Sequence, residues 1–174
     1  MGDSHLAPAR VAPRAGILSA EVQRFVREQR LGFVATVNAD GTPNVSPKGT
    51  TTVWDDDHLV FADIRSPGTV ANIERDPAVE INVVDPIIRK GYRFRGEAEV
   101  HREGPRFEEI ARWYEVQGTR AWDEAGRRIR AVVLVEVHEV RPLVSPGYDA
   151  GLTEDEMRER WVGYWEGLGK PTGR

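Results

Sequence analysis

The stretch Phe33-Val34-Ala35-Thr36-Val37-Asn38-Ala39-Asp40-Gly41-Thr42-Pro43-Asn44-Val45-Ser46-Pro47-Lys48-Gly49-Thr50 decides the architecture. The run from Gly32 to Val37 is rich in β-branched and apolar residues and predicts a strand. Asn38-Ala39-Asp40-Gly41 is a turn signal, and Pro43 to Val53 predicts the returning strand of a hairpin. Asp55-Asp56-Asp57 marks the next turn, before a short strand from Leu59 to Ala62. Three early strands in a meander point away from an alternating βαβ chain.

On the N-terminal side, Ser19 caps an expected helix with Val22, Phe25 and Val26 at one-face spacing. On the C-terminal side, Ser66-Pro67 is a helix-start pair, and that helix should stop before Pro77. Val79 to Val84 reads as a buried strand. Tyr92 to His101 reads as a longer one, with Tyr92, Phe94, Ala98 and Val100 on one face. Pro105 opens a helix with the stripe Phe107, Ile110, Ala111 and Tyr114, and Gly118 to Gly126 is an expected loop. Ile129 to Val140 is the most strongly β-forming stretch and suits a central strand. Thr153 and Glu156 form a capping box for a last helix, with Met157, Trp161, Tyr164, Trp165 and Leu168 along one face. The expected fold is therefore α+β, a barrel of about six strands with helices inserted between them. The expected organisation is a flexible arm over 1–18, the barrel domain over 19–144, and a C-terminal extension with an amphipathic helix over 145–174.

Composition narrows the function. The 174 residues carry a net charge of −4, which argues against a general nucleic-acid binder. No apolar run approaches the roughly 20 residues that cross a bilayer. The segment from Met1 to Arg14 has no apolar core of a secretory signal, so a cytoplasmic protein is expected. The absence of cysteine excludes disulfides, thiolate metal sites and cysteine nucleophiles.

Three segments carry candidate chemistry. In Val45-Ser46-Pro47-Lys48-Gly49-Thr50, proline and glycine prevent full pairing on both sides. This suits an edge strand guarded by Pro and Lys, or a backbone that meets a planar hydrogen-bonding ring. In Asp63-Ile64-Arg65-Ser66-Pro67-Gly68-Thr69 a strand ends and a helix begins; its first turn offers free N–H groups to an anion, although capping alone also explains Ser66 and Pro67. In Arg89-Lys90-Gly91-Tyr92-Arg93-Phe94-Arg95-Gly96, Arg93 and Arg95 share a strand face, either in solvent or beside an electron-rich ring. His5, His58, His101 and His138 are scattered, and Glu136 with His138 supplies only two ligands, so no metal site is expected.

The order of these segments resembles the flavin-binding split barrels of the pyridoxamine 5′-phosphate oxidase family. The resemblance rests on Phe33 to Asn38, Asp40 to Pro43, Ser46 to Gly49, Phe61 to Asp63, Ala71 to Val79 and Phe94 to Val100, spread over roughly Ser19 to Val140. It implies a homodimer with FMN in grooves at the interface. It implies that Ser46, Pro47, Lys48, Gly49 and Thr50 border the isoalloxazine ring, and that Ala62, Asp63, Arg65, Ser66 and Thr69 hold the ribityl phosphate region. Lys90 and Gly91 match the strand position that reaches the ring from the other side, and Arg112, Trp113 and Tyr114 match the segment flanking the substrate. This chain departs from the oxidases in having Gly68 and Thr69 where they carry an arginine–lysine pair, and in its C-terminal helix. The implied function is an FMN-dependent oxidoreductase acting on a small molecule other than pyridoxamine phosphate. The alternatives are a non-catalytic flavin- or haem-binding or redox-sensing barrel, and a deazaflavin-dependent reductase.

Overall fold

The computed structural model describes residues 16–116 and 129–169. Most of the expected N-terminal arm and the expected loop from Gly118 to Gly126 lie outside the described residues. The chain begins with α1 (Ala20–Gln29), whose Ser19 hydroxyl accepts from the Val22 N–H. Then follow β1 (Gly32–Val37), β2 (Pro43–Lys48), β3 (Thr52–Val53), β4 (His58–Asp63), α2 (Pro67–Arg75), β5 (Ala78–Asp85), β6 (Lys90–His101), α3 (Pro105–Val116), β7 (Ala131–Val144), α4 (Pro146–Asp149) and α5 (Glu154–Gly167).

All seven strands form one antiparallel sheet in the order β2-β1-β5-β6-β7-β4-β3. The two edge strands, β2 and β3, are separated in sequence only by Gly49, Thr50 and Thr51. A flat sheet of this width is about 29 Å across at ~4.8 Å per strand spacing. The chain from Lys48 to Thr52 reaches about 14 Å at most. The sheet must therefore curl until its edges nearly meet, which makes a barrel split along the β2–β3 seam.

The turn that crosses the seam also corrects the strand count. The Thr51 N–H donates to the Lys48 carbonyl at 3.2 Å, and this β-turn breaks the expected Pro43–Val53 strand into β2 and β3. Seven strands result rather than six.

Alternation along the strands separates two cores. Inside the barrel lie Val34, Leu59, Phe61, Ile81, Val83, Phe94, Val133 and Val135, closed off by Val22 and Val26 of α1. On the opposite face of β4 and β7, Val60, Ala62 and Val132 pack against Ile110 and Tyr114 of α3. Gly96 sits at the bulge in β6, where a Cβ would collide with the Glu136 carbonyl oxygen. Part of the expected arm joins the domain: Leu18 is buried, and the Ile17 N–H donates to Asp57 Oδ1 at 2.8 Å.

The capping box of α5 forms as expected, and Met157 is buried. The rest of its apolar stripe is used less. Trp161 takes the Arg89 guanidinium on its ring face at 3.5 Å, while Tyr164 and Leu168 stay exposed. No helix among the described residues is long and apolar enough to cross a membrane.

Candidate functional site

The seam is held by side chains, because β2 and β3 do not pair. Thr50 replaces a missing ladder contact: its Oγ1 accepts from the Ala62 N–H at 2.9 Å and donates to the Ala62 carbonyl at 3.2 Å. Thr51 reinforces the turn by donating its hydroxyl to the Lys48 carbonyl at 3.0 Å. Where β4 ends, Asp63 Oδ1 accepts from the Ser66 N–H at 2.7 Å and turns the chain into α2. Ser66 is left with a free hand. As the residue before the helix it makes no side-chain capping bond, and its hydroxyl lies 3.4 Å from Ser46 Oγ across the seam.

Lys48 is the unusual member of this group. It is 4% exposed, and its ammonium donates to one acceptor, Ser46 Oγ at 2.5 Å, with the Phe61 ring centroid 6.0 Å away. An ammonium has three donors, so two lack a hydrogen-bond partner among the described residues. Burial pushes its pKa down, and the Asp63 carboxylate partly opposes that shift. Beside it, the first turn of α2 presents the N–H groups of Gly68 and Thr69, which have no intrahelical acceptor. A Cβ on Gly49 or on Gly68 would meet no atom within 4 Å, so both backbones border open space. A buried cation, two hydroxyls and a helix N-terminus beside bare backbone present donors suited to an anion.

The other expected residues are placed as follows. Pro47 lies on the exposed face of β2, and Arg65 is exposed beside the α2 N-terminus. Thr69 is buried in the first helical turn. Lys90 and Gly91 are not part of this cluster within one chain. They pair with Val144 and Leu143 at one end of the 14-residue β7, whereas Asp63 pairs with Ala131 at the other. Lys90 donates to Glu154 at 2.9 Å and lies 4.5 Å from the Tyr148 ring centroid. On α3, Arg112 is exposed, Trp113 packs edge-on against Trp54, and Tyr114 is buried with its hydroxyl on the Thr50 carbonyl at 2.8 Å.

One supporting residue escaped sequence reasoning. Asn72 is buried on α2 and donates to Thr36 Oγ1 at 3.0 Å and to Asn38 Oδ1 at 2.9 Å, fixing the helix against the β1–β2 hairpin. Its signal in the sequence is slight: a poor helix former between Val70 and Ile73, on the side that faces the sheet.

A family model described as pyridoxamine 5′-phosphate oxidase matches residues 18–143. No curated protein matches the chain. Among solved structures, the chain is similar to HupZ of Group A Streptococcus, at 31% identity and a TM-score of 0.62, over 73% of this chain and 94% of that one. It also shares its fold with an FMN-binding protein of Syntrophomonas wolfei, at 15% identity and a TM-score of 0.58, over 71% of this chain and 84% of that one. An F420 reductase has the same fold at 21% identity and a TM-score of 0.54, over 71% of this chain and 98% of that one.

Proposed function

The chain belongs to the pyridoxamine 5′-phosphate oxidase family, and on that premise we propose that it binds FMN between two copies of itself and acts as an oxidoreductase on a small molecule. The observation that carries the reading is the Lys48 ammonium, buried with a single hydroxyl partner beside the N-terminus of α2. Keeping a cation there costs desolvation that one hydroxyl does not repay, and a phosphate would supply the missing acceptors.

In this assignment Lys48, Ser66 and the amides of Gly68 and Thr69 hold the phosphate, with Arg65 at its solvent edge. The open backbone at Gly49 and Thr50 borders the ring. Flavin supplies the hydride chemistry itself, and the protein supplies binding, orientation and electrostatics. The residues named here orient the cofactor, and none is assigned a proton-transfer role.

The positions of Lys90 and Gly91 support the pairing of two chains. If they border a ring beside Gly49, they do so from a second copy, because one chain separates them by the length of β7. The outer face of β1 and β2 suits such a contact: Phe33, Val37 and Val45 are 42%, 41% and 60% exposed on neighbouring strands.

The test is the visible spectrum of the purified protein after incubation with FMN and gel filtration. Retention of about one flavin per chain is the expected result for a cofactor gripped by fixed polar groups. Retention of F420-type deazaflavin or of haem in place of FMN would overturn the cofactor. Bound flavin that nicotinamide donors reduce in turnover supports the enzyme, and bound flavin that no donor reduces replaces it with a store or sensor.

A further inference from the structure

Tyr114 has the resemblance-based role of a residue beside the substrate, but its position suits different work. It is 1% exposed, sealed between α3 and the outer face of β4 and β7 with Val60, Ala62, Ile110 and Val132. The ring is thereby closed off from solvent within one chain. Its hydroxyl donates to the Thr50 carbonyl at 2.8 Å, and Thr50 is the centre of the turn that crosses the seam.

From this contact we infer that Tyr114 is a positioning residue, which sets the orientation of the Lys48–Thr51 turn and so the wall of the cofactor groove. The inference rests on the reading of that groove given above. Two features support it. Beyond the two Thr51 bonds to the Lys48 carbonyl, little holds the turn: β2 ends at Lys48, β3 is two residues long, and Gly49 has no side chain to anchor it. Thr50 is also fixed on two sides, since its hydroxyl is bound to both backbone groups of Ala62 and its carbonyl to Tyr114. The peptide plane that follows Thr50 therefore has one defined orientation. Without the Tyr114 donor, the buried carbonyl would rotate to seek another partner and carry the Gly49–Thr51 backbone with it. Burial also pushes the phenol pKa up, so the hydroxyl remains a donor throughout the neutral and alkaline range.

The test compares Tyr114→Phe with Ile110→Val. Both act on α3 in the same apolar cluster, but only the first removes the hydrogen bond. In the ligand-free full chain, amide hydrogen exchange should accelerate at Thr51 and Ala62 in Tyr114→Phe, beyond any change in global stability, and not in Ile110→Val. In the flavin-loaded protein, Tyr114→Phe should weaken FMN binding on the order of fivefold to tenfold, the ratio set by one ordinary hydrogen bond. It should also shift the flavin absorption band, which Ile110→Val leaves in place. Equal exchange in the two variants overturns the positioning role, whether or not FMN binds. Normal exchange differences with no FMN retained by the unmodified protein would keep Tyr114 as an anchor of the turn and overturn its link to a flavin.

Discussion

The ammonium of Lys48 lies 2.5 Å from the hydroxyl of Ser46, and that hydroxyl stands 3.4 Å from Ser66 across the barrel seam. Through Ser46, edge strand β2 thereby connects a buried cation with spare donors to the start of α2 across the seam. Such an arrangement costs the ligand-free fold and favours the ligand-bound one. Lys48→Met, which keeps most of the unbranched side chain and removes the charge, should leave the ligand-free melting temperature unchanged or raised. The same variant should weaken FMN binding by about ten- to a hundredfold, as expected for a lost charged hydrogen bond. Thermal melts and flavin-fluorescence titrations read the two effects separately; a variant that melts lower yet binds FMN normally makes Lys48 a structural residue.

Arg65 tests the outer edge of the same subsite. It is exposed and has no hydrogen-bond or ion-pair partner among the described residues, so Arg65→Ala should not disturb folding. It should weaken FMN binding severalfold at low ionic strength and much less in high salt, because an exposed charge is screened. Titration at two salt concentrations checks this, and an unchanged affinity at low salt removes Arg65 from the site.

Glycine substitutions separate ligand space from packing space. A methyl group at Gly49 or Gly68 meets nothing within 4 Å, whereas at Gly91 it collides with the Val83 carbonyl oxygen. Gly68→Ala lies inside a helix and should stabilise the ligand-free protein by about 0.4–1 kcal/mol. Gly49→Ala should be close to neutral, yet both should impair FMN retention by filling the groove. Gly91→Ala should lower the melting temperature with or without flavin. If Gly49→Ala and Gly68→Ala both retain full FMN, the open space beside them is not where the cofactor lies.

How much of the fold and the site is legible in the sequence follows from the range of each interaction. The β1–β2 hairpin, the Ser66-Pro67 helix start and the capping box at Thr153 are local, set by residues within a few positions of one another. The seam is not. Thr50 to Thr52 are β-formers and read as the continuation of a strand, and only the curled sheet places β2 and β3 at opposite edges. Lys48 reads as a solvated edge charge because lysine is seldom buried; in the fold it is 4% exposed, with its ammonium near Phe61 and Asp63, both distant in sequence. The stripe that holds Tyr114 was evident, but not the partner of its hydroxyl, 64 positions away.

The depressed pKa of Lys48 gives a pH dependence with a defined sign. Burial lowers it from 10.5, so in the window between the lowered value and 10.5 the unfolded chain holds the proton better than the folded one. Ligand-free stability therefore rises with pH across that window. FMN affinity should do the opposite, falling as the ammonium that faces the phosphate loses its proton. Above about pH 7 the phosphate, with its second ionisation near 6, no longer changes charge. In the window between the lowered value and 10.5, calorimetry in buffers of different ionisation enthalpy should show proton uptake on binding, and Lys48→Arg should abolish it because guanidinium stays charged. Binding without uptake and without a pH slope would place the phosphate elsewhere.

The outer face of the β1–β2 hairpin offers a test of the proposed pairing of two chains. Val45 is 60% exposed and stands opposite Ala35, with Phe33 and Val37 on the same face. In an isolated chain Val45→Glu changes a solvent-facing position and should alter stability by about 0.5 kcal/mol or less. In a dimer that buries this face, the same change places an unpaired charge in an apolar contact and should separate the chains. Light scattering should then move from twice the 19.5 kDa chain mass to the single mass. In the proposed dimer, where Lys90 and Gly91 approach the groove from the second copy, FMN should be lost together with the partner. Val116→Glu, at a position 78% exposed on the end of α3, serves as the control and should change neither property. If Val45→Glu stays paired, the contact lies on another face; if the single chain binds FMN as tightly as the pair, the groove is complete within one protomer and Lys90 takes no part in it.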